Sequence, residues 1–94
     1  MIFHPDVEDE VSVSYNWYEA QSEGLGEDFL RELEYSYQTI KELPETWPKF
    51  QFGFRRYILT RFTFSVIYRE HDDEIYVVAV MHQSRKHGYW KSRL

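Results

Sequence analysis

Residues 61–82 read RFTFSVIYREHDDEIYVVAVMH, two apolar runs on either side of the charged stretch Glu70-His71-Asp72-Asp73-Glu74. Runs rich in Phe, Val, Ile and Tyr that alternate with polar residues are strand patterns, and a short polar break between two of them marks a hairpin. The expected strands are 62–69 and 74–82, joined through 70–73. Setting Tyr68 against Ile75 places Val66 opposite Val77, Phe64 opposite Ala79 and Phe62 opposite Met81, all on one apolar face. A two-residue slip keeps the same faces, because side chains alternate with period two. The second face then carries Thr63, Ser65, Ile67 and Arg69 from one strand, and Tyr76, Val78, Val80 and His82 from the next.

Upstream, residues 54–59 read as a further strand, and a two-residue turn at Thr60-Arg61 sets Arg56 beside Ser65 on the second face. The period is helical before the loop Pro44-Glu45-Thr46-Trp47-Pro48. Phe29, Leu30, Leu33, Tyr37 and Ile40 form the stripe of a helix from about Glu27 to Leu43, stopped by Pro44. Val7, Val11, Tyr15 and Tyr18, with Trp17 beside them, form the stripe of an earlier helix that opens at His4-Pro5-Asp6. Asp6, Glu8 and Asp9 suit the positive end of its dipole. Gly24-Leu25-Gly26 breaks the two helices apart, and so short a connection makes them an antiparallel pair. Residues 1–4 read as an edge strand, and residues 83–94 as a tail ending in a helical turn. The expected fold is α+β, in the order β-α-α-β-β-β, with a helical hairpin packed on one face of an antiparallel sheet and the other face open.

The chain has 94 residues, and eight Tyr, seven Phe and three Trp let so short a chain bury a core. A single domain spanning 1–94 is expected. The absence of cysteine excludes a disulfide scaffold, a thiol nucleophile and a cysteine-ligated metal. The longest apolar run, Val77–Met81, is too short to cross a bilayer, and no signal peptide is visible, so a cytoplasmic protein with no membrane contact is expected. Net charge is −5 but unevenly spread: residues 1–34 hold ten acids and one base, and residues 35–94 hold six acids and ten bases. Such asymmetry fits either a polar partner surface or an acidic solvated helix face beside an ordinary basic sheet.

In this register Arg56, Arg61, His82 and Arg85 converge at one end of the second face, with Tyr89 and Trp90 nearby on the tail. Guanidinium groups bind phosphate through paired hydrogen bonds, exposed rings stack on bases, and histidine titrates near neutrality. These are parts for an RNA phosphodiester: arginine to stabilise transition-state charge, and a base for the 2′-hydroxyl. The same parts serve a binding surface with no chemistry. Each also has an ordinary role. One of Arg55 and Arg56 lays its stem over apolar surface, His82 caps a backbone group at a strand end, and Tyr89-Trp90 folds back onto the core. His4, His71, His82 and His87 lack metal-ligand spacing, so no metal is expected. Ser84 has no triad pattern around it, no glycine-rich phosphate loop exists, and no cofactor is expected.

A set of motifs runs through this order of elements. Phe3-His4-Pro5 and Trp17-Tyr18-Glu19 precede Gly24-Leu25-Gly26-Glu27-Asp28-Phe29, and Leu43-Pro44 ends the second helix. Arg55-Arg56 and Arg61-Phe62-Thr63-Phe64-Ser65-Val66-Ile67-Tyr68 follow, then His82-x-x-Arg85, Tyr89-Trp90 and Arg93. Over nearly its whole length the chain resembles the RelE/ParE superfamily of toxins from type II toxin–antitoxin modules, in the branch labelled plasmid-stabilisation proteins. It departs from the family's pattern at Phe62-Thr63-Phe64, where Phe-Pro-Tyr is frequent, and at Lys86-His87-Gly88, where a proline is usual.

The resemblance implies a growth-inhibiting toxin neutralised by a cognate antitoxin, acting by binding a target such as DNA gyrase. The alternative it implies is a metal-independent, ribosome-associated mRNA endoribonuclease. In that case Arg56, Arg61 and Arg85 hold the phosphate and His82 or Tyr89 carries the proton. The partner-binding surface expected on the open face comprises Ile67, Tyr76, Val78, Val80, Arg56 and Trp90, an apolar patch rimmed by charge. Self-association is left open.

Overall fold

Two helices, α1 (Asp6–Gln21) and α2 (Leu25–Glu42), lie against a four-stranded sheet. The computed structural model describes residues 1–86 and 88–94. The helices turn sharply because Gly24 holds φ at +86°, a left-handed conformation without penalty for glycine. They also pack closely. A Cβ on Gly26 would stand 2.8 Å from the Tyr15 carbonyl oxygen. The Glu19 carboxylate at the end of α1 accepts the N–H groups of Gly24 and Gly26, at 3.0 and 2.9 Å, at the start of α2 where the helix leaves donors free.

The strands are β1 (Ile2–Phe3), β2 (Arg55–Ile58), β3 (Phe64–His71) and β4 (Glu74–His82), in the spatial order β1-β4-β3-β2. β2, β3 and β4 are antiparallel neighbours, but β1 runs parallel to β4, so the sheet is mixed rather than wholly antiparallel as expected. Only hairpin-linked strands are obliged to run antiparallel, and no hairpin joins β1 to β4.

The β3–β4 hairpin turns on Asp72 and Asp73 alone, both at positive φ (50° and 62°), as a two-residue type I′ turn requires. The register near the turn is the two-residue slip, with Tyr68 opposite Val77. A bulge then intervenes. Val78 and Ala79 together face Ile67, which reverses the side-chain faces of everything beyond. Val80 pairs with Val66 and His82 with Phe64 on the helix side, while Ala79 and Met81 turn away with Ile67 and Ser65.

Between helices and sheet lies one core, built on Phe29, Leu33, Ile40, Phe62, Phe64, Val66, Tyr68 and Val77. Tyr68 ties it to the end of α2 by donating its hydroxyl to the Pro44 carbonyl at 2.6 Å. A second core lies on the other face, where Phe54 and Trp90 cover Ile67, Val78, Ala79 and Met81. The tail forms a 3-10 helix, Tyr89–Arg93, and inserts Trp90 there with 0% exposure. The second face is therefore not open. Ile67 and Val78 are 0% exposed, Val80 is buried against the helices and Tyr76 is half-buried, so the exposed patch expected from them is absent. Among the described residues no helix is long and apolar enough to cross a membrane.

Candidate functional site

A cleft of about 330 Å³ opens between α1 and the end of β4, lined by Asp9, Glu10, Val13, Phe64, His82 and Arg85 among others. Its floor is organised by Glu10. That residue comes three positions after Val7, at the margin of the buried stripe of α1, so its carboxylate reaches under the tail rather than into solvent. Oε1 accepts the Val80 N–H at 3.0 Å and Arg93 Nη1 at 3.2 Å; Oε2 accepts the Tyr89 hydroxyl and Arg93 Nη2, the latter at 3.0 Å. Arg93 Nη1 also donates to the Val78 carbonyl at 2.9 Å, and Arg93 Nε lies 3.6 Å from Asp6.

One ion pair thus satisfies a donor and an acceptor on the stretch of β4 that the two-residue β1 leaves uncovered, and so protects a sheet edge. Burial, followed by the hydrogen bond to Glu10, pushes the Tyr89 phenol well above its ordinary range.

His82 stands at the rim, edge-on to the Phe64 ring. Its Nδ1 lies 3.0 Å from the Ser84 backbone N–H, which can only donate, and 2.7 Å from the Ser84 hydroxyl. This network assigns the ring proton to Nε2, which donates to Thr63 Oγ1 at 3.0 Å. Of the two neighbours that the strand ends allow His82, Arg61 or Thr63, it is Thr63 that it meets, and the backbone-capping role is present as well. Arg85 lies over the Tyr89 ring, 3.9 Å from its centre.

The other expected residues lie elsewhere. Arg61 pairs with Asp28 at 3.2 Å beside a cleft between α2 and the β2–β3 connection. There Glu32 accepts from the N–H groups of Thr60 and Arg61 and from the Thr60 hydroxyl. Burial raises the Glu32 pKa, but those hydrogen bonds outweigh it and hold the carboxyl below its ordinary value. Arg56 lies over the Phe50 ring, 4.4 Å from its centre, in a groove along the outer edge of β2.

Arg56 pairs with Ile67 and His82 with Phe64, three residues apart on β3, or about 10 Å. The bulge sends the two side chains to opposite faces. So His82, Arg85 and Tyr89 come together, while Arg56 and Arg61 do not join them. Trp90 is core, and His87 lies outside the described residues. Among the described residues no group of three or more His, Cys, Asp or Glu could hold a metal ion.

Glu10 was not singled out by the sequence pattern, and Glu19 stood out only as the end of Trp17-Tyr18-Glu19, with no role attached. For Glu10 the usable signal was its spacing from Val7, an acid on the core-facing side of an amphipathic helix. For Glu19 it was an acid just ahead of two glycines.

The family model described as ParE toxin of type II toxin-antitoxin system, parDE, matches residues 1–87. The match takes in both helices and all four strands and stops short of the 3-10 helix that carries Tyr89, Trp90 and Arg93. No curated protein matches the chain.

Proposed function

We propose, from the premise that the chain belongs to the ParE toxin family of type II toxin–antitoxin systems, that it arrests growth in the cytoplasm by binding DNA gyrase and itself breaks no bond. Membership makes it the toxin half of a two-component module whose other half is a cognate antitoxin. The observation that supports binding over chemistry is the fate of the two candidate proton carriers. Tyr89 has donated its hydroxyl to Glu10 and holds its proton tightly. His82 uses Nδ1 to accept the Ser84 N–H and Nε2 to reach Thr63. A ribonuclease needs a free proton carrier within hydrogen-bond reach of the 2′-hydroxyl and cations gathered on one phosphate. Here Arg56, Arg61 and Arg85 line three separate clefts.

The variant that tests this is His82→Gln, which keeps a polar side chain of similar reach and removes the titrating proton. Growth arrest should persist, gyrase-dependent DNA cleavage should remain, and messenger RNA should stay intact even with the wild-type chain. Removal of one acid–base group slows chemistry about 100- to 10,000-fold. Loss of arrest at an unchanged melting temperature, together with cleaved messenger RNA in the wild type alone, would favour the ribonuclease.

A further inference from the structure

The second face of the sheet is roofed by rings that carry cations. Phe50, Phe52 and Phe54 alternate along one segment, and each has a positive group above it. Arg56 lies 4.4 Å from the centre of Phe50, Lys91 Nζ 5.4 Å from that of Phe52, and Arg69 5.1 Å from that of Phe54. Such pairs hold a cation in place without neutralising it. Among the described residues none of these three, nor exposed Lys86, pairs with a carboxylate. Arg31, Arg61 and Arg93 do pair, all with carboxylates of α1 or α2. Glu74, diagonal to Arg69 across the hairpin, is taken by the N-terminal ammonium at 2.7 Å. Arg56, Arg69 and Lys91 thus put positive charge on this face that no carboxylate pairs, in a chain of net charge −5.

Phe52 and Gly53, at φ 56° and 80°, are the central pair of the tight turn that the Phe54 N–H closes onto the Gln51 carbonyl at 2.9 Å. The turn leaves Phe52 49% exposed, with Lys91 above its ring.

We infer that this face binds the phosphate backbone of duplex DNA, so that the form of gyrase recognised is the one already holding DNA. The choice of enzyme rests on the function proposed above; the choice of DNA does not. Three cations suit three phosphates, and the rings beneath them are occupied, which leaves them poorly placed to stack on the splayed bases of a single strand. The acidic helices lie on the opposite side of the sheet. At physiological salt, where the screening length is about 8 Å, charges on the far side of the sheet are largely screened from a backbone bound on this one.

The full chain should bind a fluorescent duplex weakly and with a salt dependence that counts the contacts. Three phosphates give a log–log slope of about −2.7, a fall of about 40-fold in affinity between about 50 and 200 mM salt. It should bind gyrase loaded with DNA about tenfold more tightly than gyrase alone, and that advantage should shrink as salt rises. The triple variant Arg56→Gln, Arg69→Gln, Lys91→Gln should lose the duplex signal and the preference for loaded gyrase, yet hold DNA-free gyrase as the wild type does. Lys91→Gln alone, at an exposed position, should flatten the slope by about 0.9 and guards against a misfolded triple variant.

Salt-insensitive or absent duplex binding overturns the inference. So does tighter binding of single-stranded RNA, or a triple variant that keeps the duplex and loses only the antitoxin, which would make this a protein-binding face. Duplex binding that obeys the predicted slope, with no affinity for gyrase in either form, would support the DNA face and remove the gyrase reading instead.

Discussion

Glu10 shows how one side chain can hold three separate parts of a chain. Its two oxygens meet a strand N–H, a phenol and a guanidinium, and both members of the Glu10–Arg93 pair are 12% exposed at the side chain. Glu10→Ala strands the Val80 N–H and the Tyr89 hydroxyl and leaves Arg93 only the Val78 carbonyl and Asp6. The expected loss of stability is about 3 kcal/mol, read by urea unfolding, because two buried donors lose their acceptor and a largely buried charge loses its nearest counter-charge. Glu10→Gln, which restores an acceptor for Tyr89 or Val80, should recover part of it. A loss of under half a kcal/mol for Glu10→Ala would mean that solvent already shares these contacts. At this scale the sequence was least legible. Glu10 read as one more acid of an acidic helix, because charge and spacing do not reveal that a segment nearly eighty residues later folds over it. His82 was legible in part: its proximity to Arg61 or Thr63 followed from the strand ends, but the face to which it points did not.

Among the elements, the helical hairpin was nearly all legible and the sheet only in part. Gly24 and Gly26 announced the break between the helices, and the stripe of α2 predicted its buried Phe29, Leu33 and Ile40, but of the α1 stripe only Val7 is buried and Trp17, set beside it, is 59% exposed. The bulge at Ile67 was invisible for a definite reason. Val77–Met81 is apolar at every position, so sliding one residue exchanges one buried face for another and leaves no mark in the alternation. The covered second face was legible only in part: Trp90 read as folding back onto the core, but it and Phe54 belong to segments too short to show which face they would cover. The close packing of α1 on α2 gives the prediction for this scale. Gly26→Ala forces a methyl to within 2.8 Å of the Tyr15 carbonyl, so the helices must move apart. A cost of about 1–3 kcal/mol is expected, seen as a lower melting temperature with helix content retained at low temperature. Gly53→Ala, where a Cβ meets nothing within 4 Å, separates crowding from the cost of positive φ alone.

For the whole molecule, the two ends of the pH scale act through different residues. Hydrogen bonds from Arg31 and then Arg61 hold the Asp28 carboxyl below its ordinary value, and Glu32 is lowered as well. Groups lowered on folding stabilise the fold above their unfolded pKa, and the benefit disappears as pH falls through the folded value. Burial pushes Tyr68 up to about 12 and raises Tyr37 and Tyr89 too. Groups of this kind stabilise below pH 10 and lose the benefit as pH rises above it. The melting temperature should therefore be flat between about pH 6 and 9 and fall on both sides. Tyr68→Phe and Tyr89→Phe should each make the alkaline fall shallower and leave the acid one unchanged. An unaltered alkaline limb in both would place that titration elsewhere. The clasp at Glu10 also sets an order of events during synthesis. Glu10 leaves the ribosome 79 residues ahead of Tyr89 and 83 ahead of Arg93, and at about 5–20 residues per second that gap lasts several seconds. Both helices and the β3–β4 hairpin emerge before Trp90 exists to cover the second face. The newborn chain thus passes through an interval with its inner Val78 and Met81 bare, during which a partner already present in the cell meets a different surface from the one the finished protein displays.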